Sequence, residues 1–308
     1  MNGLADPLTK RLLIVAGKGG VGRSTVTAAL AVAAARRGLR TIVAETASRD
    51  DVARLLGGHA ADPLVEVELR DAVHHVTIDR RPALEEYLRY EVPGAFPAAT
   101  LARSATFQAF VEATPGMSDL LTVGKVWELL QRPRHKPRAR GYDMVILDAP
   151  ASGQLVGLLG APRTFSAIAR VGPVAKQAAK IEHSLTDAQT VGVVVVATPE
   201  QLAVSEALVL QTTLAERFGI ELGSVVANRV FPSRFTREDA VALAAAPEDP
   251  AVNSARWFAA RAKAQQTQLA RLRRGLAPAQ CTTLPFLFRA ELGQTDVERF
   301  ADLLGRAR

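Results

Sequence analysis

Cysteine is nearly missing from this sequence: Cys281 stands alone among 308 residues. A lone thiol excludes an intramolecular disulfide and any zinc site built on paired cysteines of one subunit, and it suits a reducing cytoplasm. Methionine is equally sparse, with Met1, Met117 and Met144 the full set. No apolar run approaches the roughly 20 residues needed to cross a bilayer. The longest cover about 12–16 and 191–197, so no transmembrane segment is expected. The pair Lys10-Arg11 before the first run has the look of a secretion signal, but that run leads straight into a glycine-rich loop, which rejects the reading. Nor does one sign of charge dominate. The 38 Lys and Arg against 31 Asp and Glu leave a formal +7, mostly scattered arginine, which favours a solvated basic surface over a nucleic-acid or membrane footprint. With 48% hydrophobic and 22% charged residues, the composition is that of a folded chain.

Neither an internal repeat nor a low-complexity linker divides the sequence, so a single domain spanning residues 1–308 is expected. Apolar, β-branched runs occupy 12–16, 41–44, 76–78, 144–147, 191–197, 224–227 and 282–284, with helical stretches between most of them. That alternation predicts an α/β fold with a mainly parallel sheet flanked by helices. Strands covered on both faces explain why the runs are almost continuously apolar. In Thr198-Pro199-Glu200-Gln201 the threonine suits a helix cap, the proline a first helical position and the glutamine a capping box. Ala203, Ala207, Leu210, Leu214 and Phe218 then form the buried stripe. Thr295-Asp296-Val297-Glu298 starts a final helix with Val297, Phe300 and Leu304 inward. Between about 82 and 131 the alternation stops, and helical patterns at 84–91 and 118–130 predict a helical insertion. The tract Arg132-Pro133-Arg134-His135-Lys136-Pro137-Arg138 reads as a solvated basic loop.

Gly17-Lys18-Gly19-Gly20-Val21-Gly22-Arg23-Ser24-Thr25 lies between the first apolar run and a helix. Glycines there let successive amides converge on phosphate oxygens while the helix directs its positive end at the same anion. The arrangement suits the triphosphate of ATP, with the Ser24 hydroxyl placed to ligand Mg²⁺. The usual Gly-x-x-x-x-Gly-Lys-Ser/Thr pattern is broken by Arg23 in the lysine position, and Lys18 is an additional early cation. Tyr142-Asp143-Met144-Val145-Ile146-Leu147-Asp148 is an apolar strand ending in Asp148, at the strand end where open α/β sheets bind ligands. Asp148 there suits the organisation of a metal. His74-His75 are adjacent on a strand and point to opposite faces, which argues one packed and one exposed histidine rather than a metal site.

Lys18 to Thr25 resembles the deviant Walker A loop of the superfamily that includes MinD, ParA, the nitrogenase iron protein and the arsenite-pump ATPase. Asp148-Ala149-Pro150-Ala151-Ser152-Gly153-Gln154 resembles the switch II segment of the arsenite-pump and tail-anchored-protein-targeting ATPases, with Gln154 where those branches have histidine. Val225-Val226-Ala227-Asn228-Arg229 resembles the strand-end element whose asparagine meets adenine. Leu284-Pro285-Phe286-Leu287 resembles the loop packing on the other side of the base. The lesser alternative for Asn228 is a turn asparagine, while Pro285 and Phe286 read about equally as core packing. Ala113-Thr114-Pro115-Gly116-Met117 with Leu120, Leu121, Gly124 and Lys125 is similar to the family's helical segment. Together these elements identify a resemblance to the ArsA-type, anion-transporting ATPase family, and hence a P-loop ATPase fold.

The resemblance implies ATP and Mg²⁺ as cofactors and slow, cytoplasmic ATP hydrolysis. It also implies a dimer in which Lys18 reaches the opposite nucleotide, coupled to an unidentified protein client. Gly17, Gly19, Gly20, Val21, Gly22, Arg23, Ser24 and Thr25 would hold the nucleotide, with Asn228, Pro285 and Phe286 at the base and Ser24 and Asp148 at the metal. Arg23 is a broad planar fork in place of a compact ammonium. Aligning Val43-Ala44-Glu45-Thr46-Ala47-Ser48-Arg49 on the family's switch I puts Thr46 where a catalytic aspartate is usual, leaving Glu45 as the candidate to activate water. These departures make a heterodimer with a paralogous ATPase subunit a variant beside the homodimer. The single Cys281 and three methionines disfavour a metalloid site and a methionine-rich client groove. A different reading is a weakly hydrolysing, ParA-like adaptor that binds DNA through Arg256, Arg261, Lys263, Arg271, Arg273 and Arg274.

Overall fold

The computed structural model describes residues 6–46, 50–91, 104, 109, 113–134, 139–169 and 173–306. Its strands are β1 (Leu12–Gly17), β2 (Thr41–Glu45), β3 (Val67–Arg70), β4 (Val73–Thr77), β5 (Met144–Asp148), β6 (Val191–Ala197), β7 (Ser224–Val230) and β8 (Gln280–Pro285). They form one sheet in the order β3-β4-β2-β5-β1-β6-β7-β8, parallel throughout except for the antiparallel edge pair β3 and β4. The helices described are α1 (Arg23–Arg36), α2 (Asp51–Leu55), α3 (Arg80–Glu91), α4 (Met117–Leu130), α5 (Ser152–Ala169), α6 (Pro173–Thr186), α7 (Gln201–Phe218), α8 (Arg237–Ala245), α9 (Pro250–Gly275) and α10 (Gln294–Gly305).

Both faces of the sheet are covered, and β1 shows how. Leu12, Ile14 and Ala16 join a core with α4, α5, α6 and α7. Leu13 and Val15 join a second core with α1 and α10. A strand with no solvated face must be apolar at every position, which is why the period of two is invisible in its sequence. α1 runs through that second core with Thr25 to Ala34 all buried. Small side chains let its backbone lie close to the sheet.

The 191–197 strand matches its expected limits. Three others run one residue past the apolar run, to Gly17, Glu45 and Asp148. Those extra residues, polar or glycine, stand at the carboxyl edge of the sheet, where the site lies. The run at 224–227 continues to Val230, and the last strand spans Gln280–Pro285.

Other expectations are corrected. The strand expected at 76–78 is Val73–Thr77, because His74 and His75 hide its start from an apolar scan. β3 was not expected: it is a short, half-exposed edge strand in which charge alternates with apolar residues. Thr198 does not cap α7. The cap is Glu200, without a side-chain hydrogen bond, while the Thr198 carbonyl accepts the Glu200 amide in a turn. The expected stripe is buried at Ala203, Ala207, Leu210 and Leu214, with Phe218 partly buried. α10 begins at Gln294 after a Gly293 cap, and Asp296 accepts the Gly293 amide at 3.1 Å. α3 and α4 occupy the two ends of the expected insertion, whose residues 92–103, 105–108 and 110–112 lie outside those described.

The basic tract is not wholly solvated. Residues 135–138 lie outside those described, but the Arg134 side chain is fully buried. It makes a two-pronged contact with Glu66, both arms at 2.7 Å, and donates to Glu128 at 2.8 and 3.0 Å. Lys125 joins Glu128 at 3.0 Å and also pairs with Glu86. The Tyr142 hydroxyl donates to Glu66 at 2.6 Å. This ionic network ties α3, α4 and the segment before β3 to Tyr142, two residues ahead of β5. Burial alone would raise the Glu66 pKa, but hydrogen bonds from Arg134 and Tyr142 outweigh it and bring it down to about 2.

Breaking a buried ion pair strands its partners, so Arg134→Ala is expected to lower unfolding free energy by about 3–5 kcal/mol in a denaturant titration. Glu66 contributes stability that is full above its unfolded value of 4.5 and is lost as pH falls toward about 2. Glu66→Gln should therefore flatten the wild-type loss of stability across that acid window.

Candidate functional site

The glycine loop is shaped by close approach. A Cβ at Gly17, where φ is 153°, would sit 2.2 Å from the Val196 carbonyl oxygen; at Gly22, where φ is 90°, it would lie 2.4 Å from Asn228 Nδ2. Only glycine serves at either position. Gly22 caps α1 without a side chain, so the first-turn amides of Arg23, Ser24 and Thr25 have no carbonyl one turn back and face the cleft.

Asp148 ends β5 beside Val15 of β1 and Glu45 of β2 in the strand register. Its Oδ2 accepts from Ser24 Oγ at 2.8 Å and its Oδ1 from Thr27 Oγ1 at 3.2 Å. Burial holds this carboxyl above the usual aspartate range; the Ser24 hydrogen bond, the Arg23 charge and Thr27 oppose the rise, and Asp51 adds to it. Arg23 donates to the Gly17 carbonyl at 3.0 Å, closing the loop on itself. Its burial lowers its pKa, against the pull of Asp148.

A cleft of about 1040 Å³ opens here, lined by Gly19, Gly20, Arg23, Ser24, Glu45 and Asp148. Thr46, Gln154 and Arg229 line it too, as do Asp51 and Arg54 of α2. Thr46 directs its hydroxyl to the Asp148 carbonyl at 3.4 Å. A smaller cleft of about 370 Å³ shares Gly19, Gly20 and Arg229 and adds Lys18, Phe231 and Phe286. Lys18 lines this second cleft, and its Nζ lies 3.1 Å from Glu206 of α7. Glu206 also accepts from Ser152, the first residue of α5, at 3.2 Å.

Asn228 is 4% exposed and engaged at both ends of its amide. Nδ2 donates to the Val21 carbonyl at 2.9 Å and Oδ1 accepts the Arg229 amide at 2.9 Å. It thus holds the phosphate-loop backbone against the end of β7. Phe286 stacks on Phe231 with centroids 4.8 Å apart, and its amide donates to the Val230 carbonyl. Pro285 pairs with Val230 in the sheet and lines neither cleft. On α9, Arg256 spends its guanidinium on the carbonyls of Leu243, Ala244 and Ala246, and Arg261 pairs with Glu200.

The histidines do part to opposite faces, but neither is simply exposed. His75 is fully buried with Nε2 2.9 Å from Glu45 Oε2. His74 is half-buried edge-on to Tyr142 and 3.0 Å from an Arg40 nitrogen. Sequence reasoning also missed Thr27, Asp51, Arg54 and Glu206. Thr27 had a signal, since it follows Ser24 by one helical turn. The other three are brought in by folding alone.

The family model described as anion-transporting ATPase matches residues 10–172 and 166–306 of the chain. ATPase BagA of Mycobacterium tuberculosis is 31% identical over 236 residues, covering 74% of this chain and 68% of that protein. A protein of Halobacterium salinarum named as an arsenical pump-driving ATPase is 29% identical over 247 residues, 73% of this chain and 36% of that one. A Streptomyces coelicolor protein of no stated activity is 30% identical over 172 residues, 55% of this chain and 42% of its own length.

A carboxyl held above its ordinary pKa of 3.8 opposes folding at neutral pH, and that opposition fades as pH falls through the raised folded-state value and is gone below 3.8. Asp148→Asn is accordingly expected to melt at or above the wild-type temperature at pH 7 without ligand. Differential scanning calorimetry across pH 3–8 checks both the sign and the window.

Proposed function

The chain belongs to the anion-transporting ATPase family, and from that premise we propose that it binds Mg²⁺-ATP in the larger cleft, hydrolyses it slowly and works as a dimer. The observation that carries the reading is the Asp148 carboxylate 2.8 Å from the Ser24 hydroxyl at the foot of the glycine loop. A buried carboxylate and a hydroxyl are hard oxygen donors suited to Mg²⁺. Among the described residues no group of three or more His, Cys, Asp or Glu could hold a metal by itself, in keeping with an ion that takes most of its ligands from phosphate and water. When bound, Mg²⁺ supplies neutralisation of charge on the β- and γ-phosphate oxygens.

The rest of the chemistry belongs to the chain. Amides of Gly19 to Thr25 cradle the phosphates, and the positive end of α1 favours their charge. Arg23 has one nitrogen on the Gly17 carbonyl, leaving other guanidinium donors for phosphate oxygens. Asn228 keeps the loop in shape and presents its end of β7 toward the base. Phe286, stacked on Phe231, lines the adjoining smaller cleft that shares Gly19, Gly20 and Arg229, and offers an apolar face to a base that extends there from the larger one. Glu45, at the cleft wall beside Asp148, is the carboxylate placed to meet the attacking water.

Lys18 supports the dimer. It stands outside the larger cleft and lines the smaller one, free to leave a half-exposed ion pair that is worth little and to complete a site on a second copy or a paralogous subunit. Nucleotide-dependent movement of the segment after Asp148 would reach α5 and, through it, α4 and a protein client. Cys281 alone gives no soft-ligand set for a metalloid.

Steady-state ATP turnover tests the reading. Asp148→Asn should lose at least about 100-fold in kcat, while Arg23→Lys should raise it if the arginine restrains catalysis. Light scattering should show Mg-ATP-dependent dimers for the wild type and fewer for Lys18→Ala. A wild-type chain that takes up no Mg-ATP at millimolar concentration in calorimetry refutes the proposal.

A further inference from the structure

His75 and Glu45 lie on neighbouring parallel strands, with His75 of β4 opposite Val43 of β2 and Glu45 opposite Thr77. In a strand, residues two apart share a face, so the imidazole and the Glu45 side chain stand on the same side of the sheet. His75 Nε2 lies 2.9 Å from Glu45 Oε2, and the side chains are 0% and 2% exposed. Glu45 is thus held from β4 by His75, and it lines the cleft that holds Ser24, Asp148 and Gln154.

The other imidazole nitrogen is telling. His75 Nδ1 is buried without a hydrogen-bond partner among the described residues. An apolar side chain of similar volume would fill this space without stranding a polar atom. Packing alone therefore does not account for an imidazole here; the contact with Glu45 does. With Nδ1 unpartnered, the ring serves as an Nε2–H donor aimed at one oxygen of one carboxylate.

We propose that His75 is a positioning residue for ATP hydrolysis, fixing the Glu45 carboxylate at the wall of the phosphate cleft so that it accepts a hydrogen bond from the attacking water and orients it. In that step the water oxygen bonds to the γ-phosphorus as the bond to the β,γ-bridging oxygen breaks. ADP leaves, and both protons of the water stay with the inorganic phosphate, released as H2PO4⁻. The role rests on the ATPase reading above and assigns the orienting task that Thr46, with its hydroxyl on the Asp148 carbonyl, does not perform.

The test compares full-length wild type with His75→Leu, His75→Gln, Glu45→Gln and the double variant His75→Leu/Glu45→Gln, in steady-state turnover and in ATP binding by calorimetry. A misaimed catalytic group costs about 100-fold, so His75→Leu should lose at least about 10-fold in kcat with KM and ATP affinity within about 3-fold. His75→Gln, whose amide can donate from the Nε2 position, should recover most of the rate. The double variant should be no slower than Glu45→Gln, because both changes remove one function. A folded His75→Leu with wild-type kcat overturns the proposal, as does one that loses ATP affinity and kcat equally. Should His75→Leu fail to fold, an unchanged kcat in Glu45→Gln overturns it, and a loss in Glu45→Gln with full rate in His75→Gln supports it. A wild type that binds ATP without turnover refutes the ATPase reading together with this role, whereas an active wild type insensitive to His75→Leu refutes this role alone.

Discussion

A carboxylate buried at the end of a strand, with two hydroxyls and one guanidinium around it, is the constraint on which the rest of the site depends. Asp148 is 7% exposed, and leaving such a group unsatisfied is expensive. Ser24 and Thr27 satisfy it from successive turns of α1, which requires the amino terminus of α1 to return over the end of β1. The return is possible because Gly17 passes under the Val196 carbonyl and Gly22 under the Asn228 amide. One electrostatic demand at the sheet edge thus links β1, β5, β6, β7 and α1, and the amides left over at the turn face the cleft.

Two groups of buried carboxyls are treated differently. Asp148 and Glu45, which line the cleft, both sit above their ordinary pKa, chiefly through burial. Glu66 and Glu128 are held below theirs, because hydrogen bonds and charge from Arg134 and Lys125 outweigh burial. The second network is neutralised by its own cations, while the first group is under-neutralised. α4 belongs to the second by Lys125 and Glu128, and α5 to the side of the first by Ser152 and Glu206. Contact between those two helices joins the cleft side of the molecule to α4.

Much of this was legible residue by residue. Gly17, Gly22, Ser24 and Asp148 announce themselves because loop geometry and strand termination are local: a glycine is needed where φ is positive, and an aspartate ends an apolar run. The strand carrying His74 and His75 was misplaced because two polar residues interrupt the apolar signal, and those residues are polar for reasons lying on another strand. Arg134 read as a solvated loop cation because its acid partners are 6 and 68 residues away. The Thr198 cap failed for a subtler reason: Ser, Thr and Pro near a helix start are compatible with several turns, and here the chain closed a turn at Thr198 before α7 began.

Sequence alone determined the parallel α/β architecture, the glycine loop and the carboxylate that ends β5, since each is written in neighbouring residues whose backbone preferences act without knowledge of the fold. Tertiary structure alone decided that Asn228 holds the loop across 207 residues of chain, that Lys18 turns to Glu206, and that His75 meets Glu45. Those pairings obey no period or spacing. They exist because strand order and helix packing bring distant side chains within 3 Å or so in a dry interior, where an unpaired polar atom is costly and its partner is therefore specified.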